Sequence, residues 1–134
     1  MKATTDLRVG EFSLLTPPEE LIDELPISPK AAETVVEGRE TIENILTKKD
    51  SRMLAIVGPC SIHDEKAVSE YATKLSAVAE QVKDTLCIIM RVYFEKPRTT
   101  IGWKGLINDP FMDGSNDIQT GLKKAREILL KVNE

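Results

Sequence analysis

The sequence predicts an α/β fold with parallel strands, entered through a helical amino-terminal stretch. Three observations point to it. Two five-residue runs, Met53–Val57 and Leu86–Met90, are continuously apolar, the pattern of strands covered on both faces. The segments after each run switch to a spacing of three and four residues, as in amphipathic helices. The resulting strand–helix–strand–helix order implies parallel strands joined by a right-handed crossover.

Each element has its own signal. Residues 1–15 carry few and are expected to form an irregular arm. Thr16-Pro17-Pro18-Glu19 predicts a helix start, with Thr16 at the cap, Pro17 first in the helix and Glu19 bonding back. That helix, over 17–24, stops before Pro26. Ser28-Pro29 opens a second helix whose stripe is Ala31, Ala32, Val35, Val36, Ile42, Ile45 and Leu46. Its expected end is near Lys48-Lys49, where positive charge suits the helix dipole. The first strand, 53–57, runs into Gly58-Pro59. Asp64 then caps a helix with Ala67, Val68, Tyr71, Ala72, Leu75, Val78, Ala79 and Val82 on one face. The second strand is expected over 86–92, interrupted only by Arg91. The last helix begins near Asp117 and places Ile118, Leu122, Ala125, Leu129 and Val132 together. Two parallel strands cannot bury both faces and both edges alone. A complete eight-stranded α/β barrel takes about 250 residues, so the 134 residues are expected to be the first part of such a sheet.

Composition narrows the function classes. With 41% hydrophobic and 30% charged residues, the chain reads as an ordinary globular protein. A membrane-spanning helix needs about 20 apolar residues, far more than either run supplies, and Met1-Lys2-Ala3-Thr4-Thr5-Asp6 has no apolar stretch of the signal-peptide kind. Two cysteines make no disulfide framework, so a reducing, cytoplasmic setting is expected. A net charge of −4 argues against general nucleic-acid binding.

The placement of charge is more informative than its sum. From 91 to 105 the cations Arg91, Lys96, Arg98 and Lys104 face one acid, Glu95, giving +3 and leaving −7 for the other residues. A basic island on an acidic chain suits a small anion; it also fits a solvated loop. Ligands of parallel α/β folds bind beyond the carboxyl ends of the strands. Both Gly58-Pro59-Cys60-Ser61-Ile62-His63-Asp64 and residues 91–100 fall there. Cys60 and His63, at C-x-x-H spacing, fit two ligands of one metal or an inert buried cysteine beside a hydrogen-bonded histidine. Cys87 begins the second strand, roughly 20 Å from Cys60, too far for a shared metal or a disulfide. Arg91 at the end of an apolar strand needs an acidic partner, either Glu95 or a bound carboxylate or phosphate held by both prongs of its guanidinium. Lys96-Pro97-Arg98-Thr99-Thr100 adds two cations, a rigid turn and two hydroxyls. Trp103 either covers the site or packs beneath its loop.

Three stretches together carry a resemblance: Gly58-Pro59-Cys60-Ser61-Ile62-His63-Asp64, the run from Met90 to Thr100 (Met-Arg-Val-Tyr-Phe-Glu-Lys-Pro-Arg-Thr-Thr), and Gly102-Trp103-Lys104-Gly105-Leu106-Ile107-Asn108-Asp109-Pro110. In order and spacing they resemble the microbial class I 3-deoxy-D-arabino-heptulosonate 7-phosphate (DAHP) synthases. The likeness extends to Asp6-Leu7-Arg8-Val9 and covers about the first third of such an enzyme. It implies a (β/α)8 TIM barrel, incomplete here, with residues 1–48 as a helical extension serving subunit contacts and feedback inhibition, and 49–134 as the start of the catalytic barrel. The implied reaction condenses phosphoenolpyruvate with erythrose 4-phosphate and releases phosphate, the first step of the shikimate route to aromatic amino acids. The implied cofactor is a divalent metal (Mn, Fe, Co or Zn) whose cysteine ligand matches Cys60. Its histidine, glutamate and aspartate ligands belong to the later barrel. Arg91 and Lys96 match phosphoenolpyruvate-binding residues, and Lys96, Pro97, Arg98 and Thr99 the erythrose 4-phosphate loop. His63 lies near metal and substrate without ligating, so Lys96 and His63 are the catalytic candidates. An aromatic amino acid inhibitor and a homo-oligomer at full length are further implications.

Carrying one metal ligand of four, the 134-residue chain is expected to be inactive alone. The alternatives are a non-catalytic oligomerisation or regulatory module, and a small stand-alone anion-binding protein. The latter would leave bare sheet edges.

Overall fold

The computed structural model describes residue 5, residues 12–96 and residues 101–134. The element order is α1 (Pro18–Glu24), α2 (Pro29–Leu46), β1 (Met53–Val57), α3 (Glu65–Val82), β2 (Leu86–Met90) and α4 (Ile118–Val132). β1 and β2 form a two-stranded parallel sheet, with Met53 opposite Leu86 and Val57 opposite Met90. α2 packs against both strands, and α3 against β2 and α4. At the amino ends of the strands, Arg52 pairs with Asp50 and donates from Nη1 to the Lys83 carbonyl at 3.2 Å, joining the two turns that precede β1 and β2.

Capping fixes the helix starts. The Ser28 hydroxyl accepts from Ala31 N at 3.1 Å, and the Asp64 and Asp117 carboxylates accept from Ala67 N and Thr120 N. α1 differs from expectation. Its cap is Pro17, which offers no side-chain acceptor, and Pro18 is first in the helix. The Thr16 hydroxyl instead accepts from Gln119 Nε2 at 2.8 Å, part of the polar docking of the amino-terminal segment onto α4 that Lys123–Glu24 and Arg126–Leu25 continue. α2 also stops two residues before Lys48. There Lys48 takes a left-handed φ of 61°, and Lys48 N and Lys49 N return to the carbonyls of Ile45 and Asn44. This is a Schellman stop with lysine where glycine is favoured.

β1 is left uncovered, as expected of two parallel strands alone: Met53 and Ile56 are 69% and 63% exposed. No further strand flanks it among the described residues. β2 is half-buried throughout and ends at Met90, so Arg91 stands just past the strand rather than within it. Tyr71 and Val78 on α3, and Val36 and Leu46 on α2, leave part of each helical stripe uncovered.

The core gathers toward the carboxyl ends of the strands. Ile62, Val68, Phe94, Leu106, Ala125 and Ile128 are buried together, with Met90, Val92, Trp103, Ile107 and Val132 packed around them. α4 buries Gly121, Ala125 and Ile128, whereas Leu129 is exposed. Its buried face is therefore turned from the expected one. Gly121 sets that turn: a Cβ there would lie 2.1 Å from the Ile107 carbonyl oxygen. The helix comes close to the 101–110 segment at the one residue without a side chain.

Candidate anion site at the strand ends

The loops that leave β1 and β2 are stitched into one unit. Arg91 N donates to Val57 O at 2.7 Å and Ile62 N to Tyr93 O at 2.8 Å. Gly58 permits this approach, since a Cβ at that position would stand 2.2 Å from the Arg91 carbonyl oxygen.

Arg91 does not pair with Glu95. Its Nη1 donates to the carbonyls of Pro59 and Cys60 at 2.7 and 2.9 Å, and its Cζ lies 4.4 Å from the centroid of the Tyr93 ring. Both Nη1 hydrogens are thereby used. Among the described residues Nε and Nη2 have no partner, leaving open the edge that matches a carboxylate or phosphate. Glu95 is engaged elsewhere, its Oε2 accepting from Asn108 Nδ2 at 2.8 Å.

Lys96 completes the cluster. Its Nζ lies 3.4 Å from Cys60 Sγ, and the thiol is exposed, not buried and inert. Neither Arg91 nor Lys96 has a carboxylate partner among the described residues. Two uncompensated cations therefore converge on Cys60. The backbone of Lys96 is held by Lys104, and Leu106 N donates to Phe94 O, around a bridge between Glu95 and Gly105. Trp103 packs beneath this stem, with Nε1 donating to Asp109 O at 2.7 Å. His63 is exposed at the same end of the sheet, just before the Asp64 cap. Pro97, Arg98, Thr99 and Thr100 lie outside the described residues, as does Asp6-Leu7-Arg8-Val9.

A metal would find one soft donor here. Among the described residues no three His, Cys, Asp or Glu side chains come together as a metal-binding group, and Cys60 and Cys87 form no disulfide. Two clefts, of about 480 Å³ between α3 and α4 and about 1060 Å³ among α2, α3, α4 and β2, include none of Cys60, Arg91 and Lys96. No helix among them is long and apolar enough to cross a membrane.

Sequence reasoning missed Tyr93, Gly58 and Asn108. Tyr93 directly follows the pair Arg91-Val92, which was its available signal; the other two act through main-chain proximity and a loop contact that no spacing encodes.

Comparison with known proteins identifies the family. The sequence model described as the DAHP synthetase I family matches residues 24–132. The chain is 54% identical over 129 residues to a phospho-2-dehydro-3-deoxyheptonate aldolase of Escherichia coli described as Phe-sensitive, covering 96% of this chain and 37% of that protein. It is 47% identical over 133 residues to a phenylalanine-inhibited one of Saccharomyces cerevisiae, covering 99% of this chain and 36% of that protein. The solved phospho-2-dehydro-3-deoxyheptonate aldolase of Francisella tularensis superposes with a TM-score of 0.90 at 48% identity, covering 93% of this chain and 37% of that one. The chain thus spans little more than a third of the length of these relatives. It belongs to the DAHP synthetase I family.

Proposed function

We propose that this member of the DAHP synthetase I family forms the amino-terminal portion of an enzyme that condenses phosphoenolpyruvate with erythrose 4-phosphate. A C–C bond forms between the enol carbon and the aldehyde carbon, water is consumed, and DAHP and phosphate leave. This is the entry to aromatic amino acid synthesis. Residues 49–134 begin a (β/α)8 barrel, and residues 1–48 are an extension that serves subunit contacts and aromatic feedback. The bare faces and edge of β1 support this reading, because later strands and helices would cover them. The complete protein is read as a cytoplasmic homo-oligomer.

The observation that carries the proposal is the pair of uncompensated cations, Arg91 and Lys96, converging on Cys60. Both substrates are anions. Arg91 offers its open Nε and Nη2 edge to phosphoenolpyruvate, already ordered by its other contacts. Lys96, placed between the two substrates, balances charge and assists proton transfer at the aldehyde oxygen. Pro97, Arg98 and Thr99 hold erythrose 4-phosphate, and His63 lies beside the reacting groups.

The residues fit a divalent metal in part: Cys60 Sγ is an exposed soft donor at the strand ends, and its co-ligands would come from segments these residues do not include. When bound, the metal acts as a Lewis acid on the erythrose 4-phosphate aldehyde. The test is phosphoenolpyruvate consumption by the complete protein, dependent on erythrose 4-phosphate and abolished by a chelator. Cys60→Ala is expected to abolish the metal-dependent turnover, while the 134-residue chain alone turns nothing over. Normal activity with Cys60→Ala overturns the metal assignment.

A further inference from the structure

We infer that Tyr93 is a positioning residue for the anion site: its ring face sets the plane of the Arg91 guanidinium, which in turn holds the main chain at Cys60. The inference rests on reading Arg91 as the anion-binding group. Three contacts fix that guanidinium, two from Nη1 to the Pro59 and Cys60 carbonyls at 2.7 and 2.9 Å and one from the ring at 4.4 Å. The carbonyls fix where one end of the group sits. They leave it free to rock about the line through Nη1, and the ring against its face removes that motion. An arginine ordered beforehand loses less rotamer freedom when the anion arrives.

Burial does not account for the ring. Phe94 enters the core, whereas Tyr93 is 37% exposed and lies outside the core cluster. Its hydroxyl has no hydrogen-bond partner among the described residues, so the ring face is the part in use. The Tyr93 main chain is itself anchored, its carbonyl accepting from Ile62 N at 2.8 Å in the Cys60 loop. Tyr93, Arg91 and Cys60 thereby form a closed circuit: ring to guanidinium, guanidinium to the Cys60 carbonyl, and that loop back to the Tyr93 carbonyl. The electrostatic content is a cation over the negative face of an aromatic ring.

The experiment follows alkylation of Cys60 by iodoacetamide in the complete protein without added metal, located by peptide mass to separate it from Cys87. Phosphoenolpyruvate is the protecting probe. Tyr93→Leu is expected to raise the half-protecting concentration about two- to fivefold, the range of an exposed cation–π contact. Tyr93→Phe restores the original value. Phenylalanines of rising ring fluorination at position 93 raise it stepwise, because fluorine drains the ring face with little change of size; they keep the test decisive if Tyr93→Leu does not fold. Arg91→Gln separates the two claims. If Arg91→Gln leaves protection unchanged, the anion-site reading fails. If it removes protection while the fluorinated rings behave as phenylalanine does, the site stands and the role of Tyr93 is overturned.

Discussion

Replacing Gly58 with alanine tests the join between the two strand-end loops. The new Cβ would stand 2.2 Å from the Arg91 carbonyl oxygen and 3.0 Å from Arg91 Cβ. Ordinary contact begins near 3.4 Å, so the backbone at residue 91 must retreat by about 1.2 Å. That retreat pulls Arg91 N from Val57 O, now 2.7 Å away, and drags Nη1 from the Pro59 and Cys60 carbonyls. Overpacking of this kind costs about 1–3 kcal/mol, and each hydrogen bond lost adds about 1 kcal/mol. With three such bonds at stake, we expect a total of about 4–6 kcal/mol, a large share of the 5–15 kcal/mol that typically holds a domain together. Guanidinium denaturation followed by circular dichroism reads the loss as a fall in midpoint at unchanged slope. The alkylation rate of Cys60 should change with it. A loss below about 0.5 kcal/mol, within the range of ordinary surface substitutions, would refute the close approach.

Further outcomes follow from other elements. Lys48→Gly, at the left-handed end of α2, is expected to stabilise the chain by about 1 kcal/mol, read as a raised thermal midpoint. The hydrogen bonds from Thr120 hold the Asp117 carboxyl below its ordinary value of 3.8. Its contribution to α4 is therefore present above that pH and lost as pH falls through the lowered native value. Asp117→Asn should flatten the acid limb of the stability profile, most visibly in α4 amide exchange. Arg98→Ala in the complete protein is expected to raise the apparent constant for erythrose 4-phosphate more than that for phosphoenolpyruvate, measured by steady-state kinetics.

Strong local rules made most elements legible in the sequence. The caps Ser28, Asp64 and Asp117 act as their residue types demand, and both apolar runs are parallel strands in the expected order. Errors arose where backbone decided. Gly121 lies on the buried face of α4 because it lacks a side chain, and an apolar stripe cannot count an absence. Glu95, one of the two partners expected for Arg91, bonds Asn108 instead, and Arg91 Nη1 is held by the carbonyls of Pro59 and Cys60, which no composition reveals. Continuous apolarity in β1 identified a strand that wants cover on both faces, and Met53 and Ile56 show that these residues do not supply it. Family motifs located the Cys60, Arg91 and Lys96 cluster; only the folded chain shows which edge of Arg91 is open.

In the proposed enzyme, Arg91 and Lys96 form one anion site beside Cys60. Calorimetric titration of phosphoenolpyruvate into the complete protein tests it most directly, comparing the unaltered chain with Arg91→Gln and Lys96→Gln. Either substitution is expected to abolish or sharply weaken binding while the fold is retained. Binding of unchanged strength in both variants would contradict it.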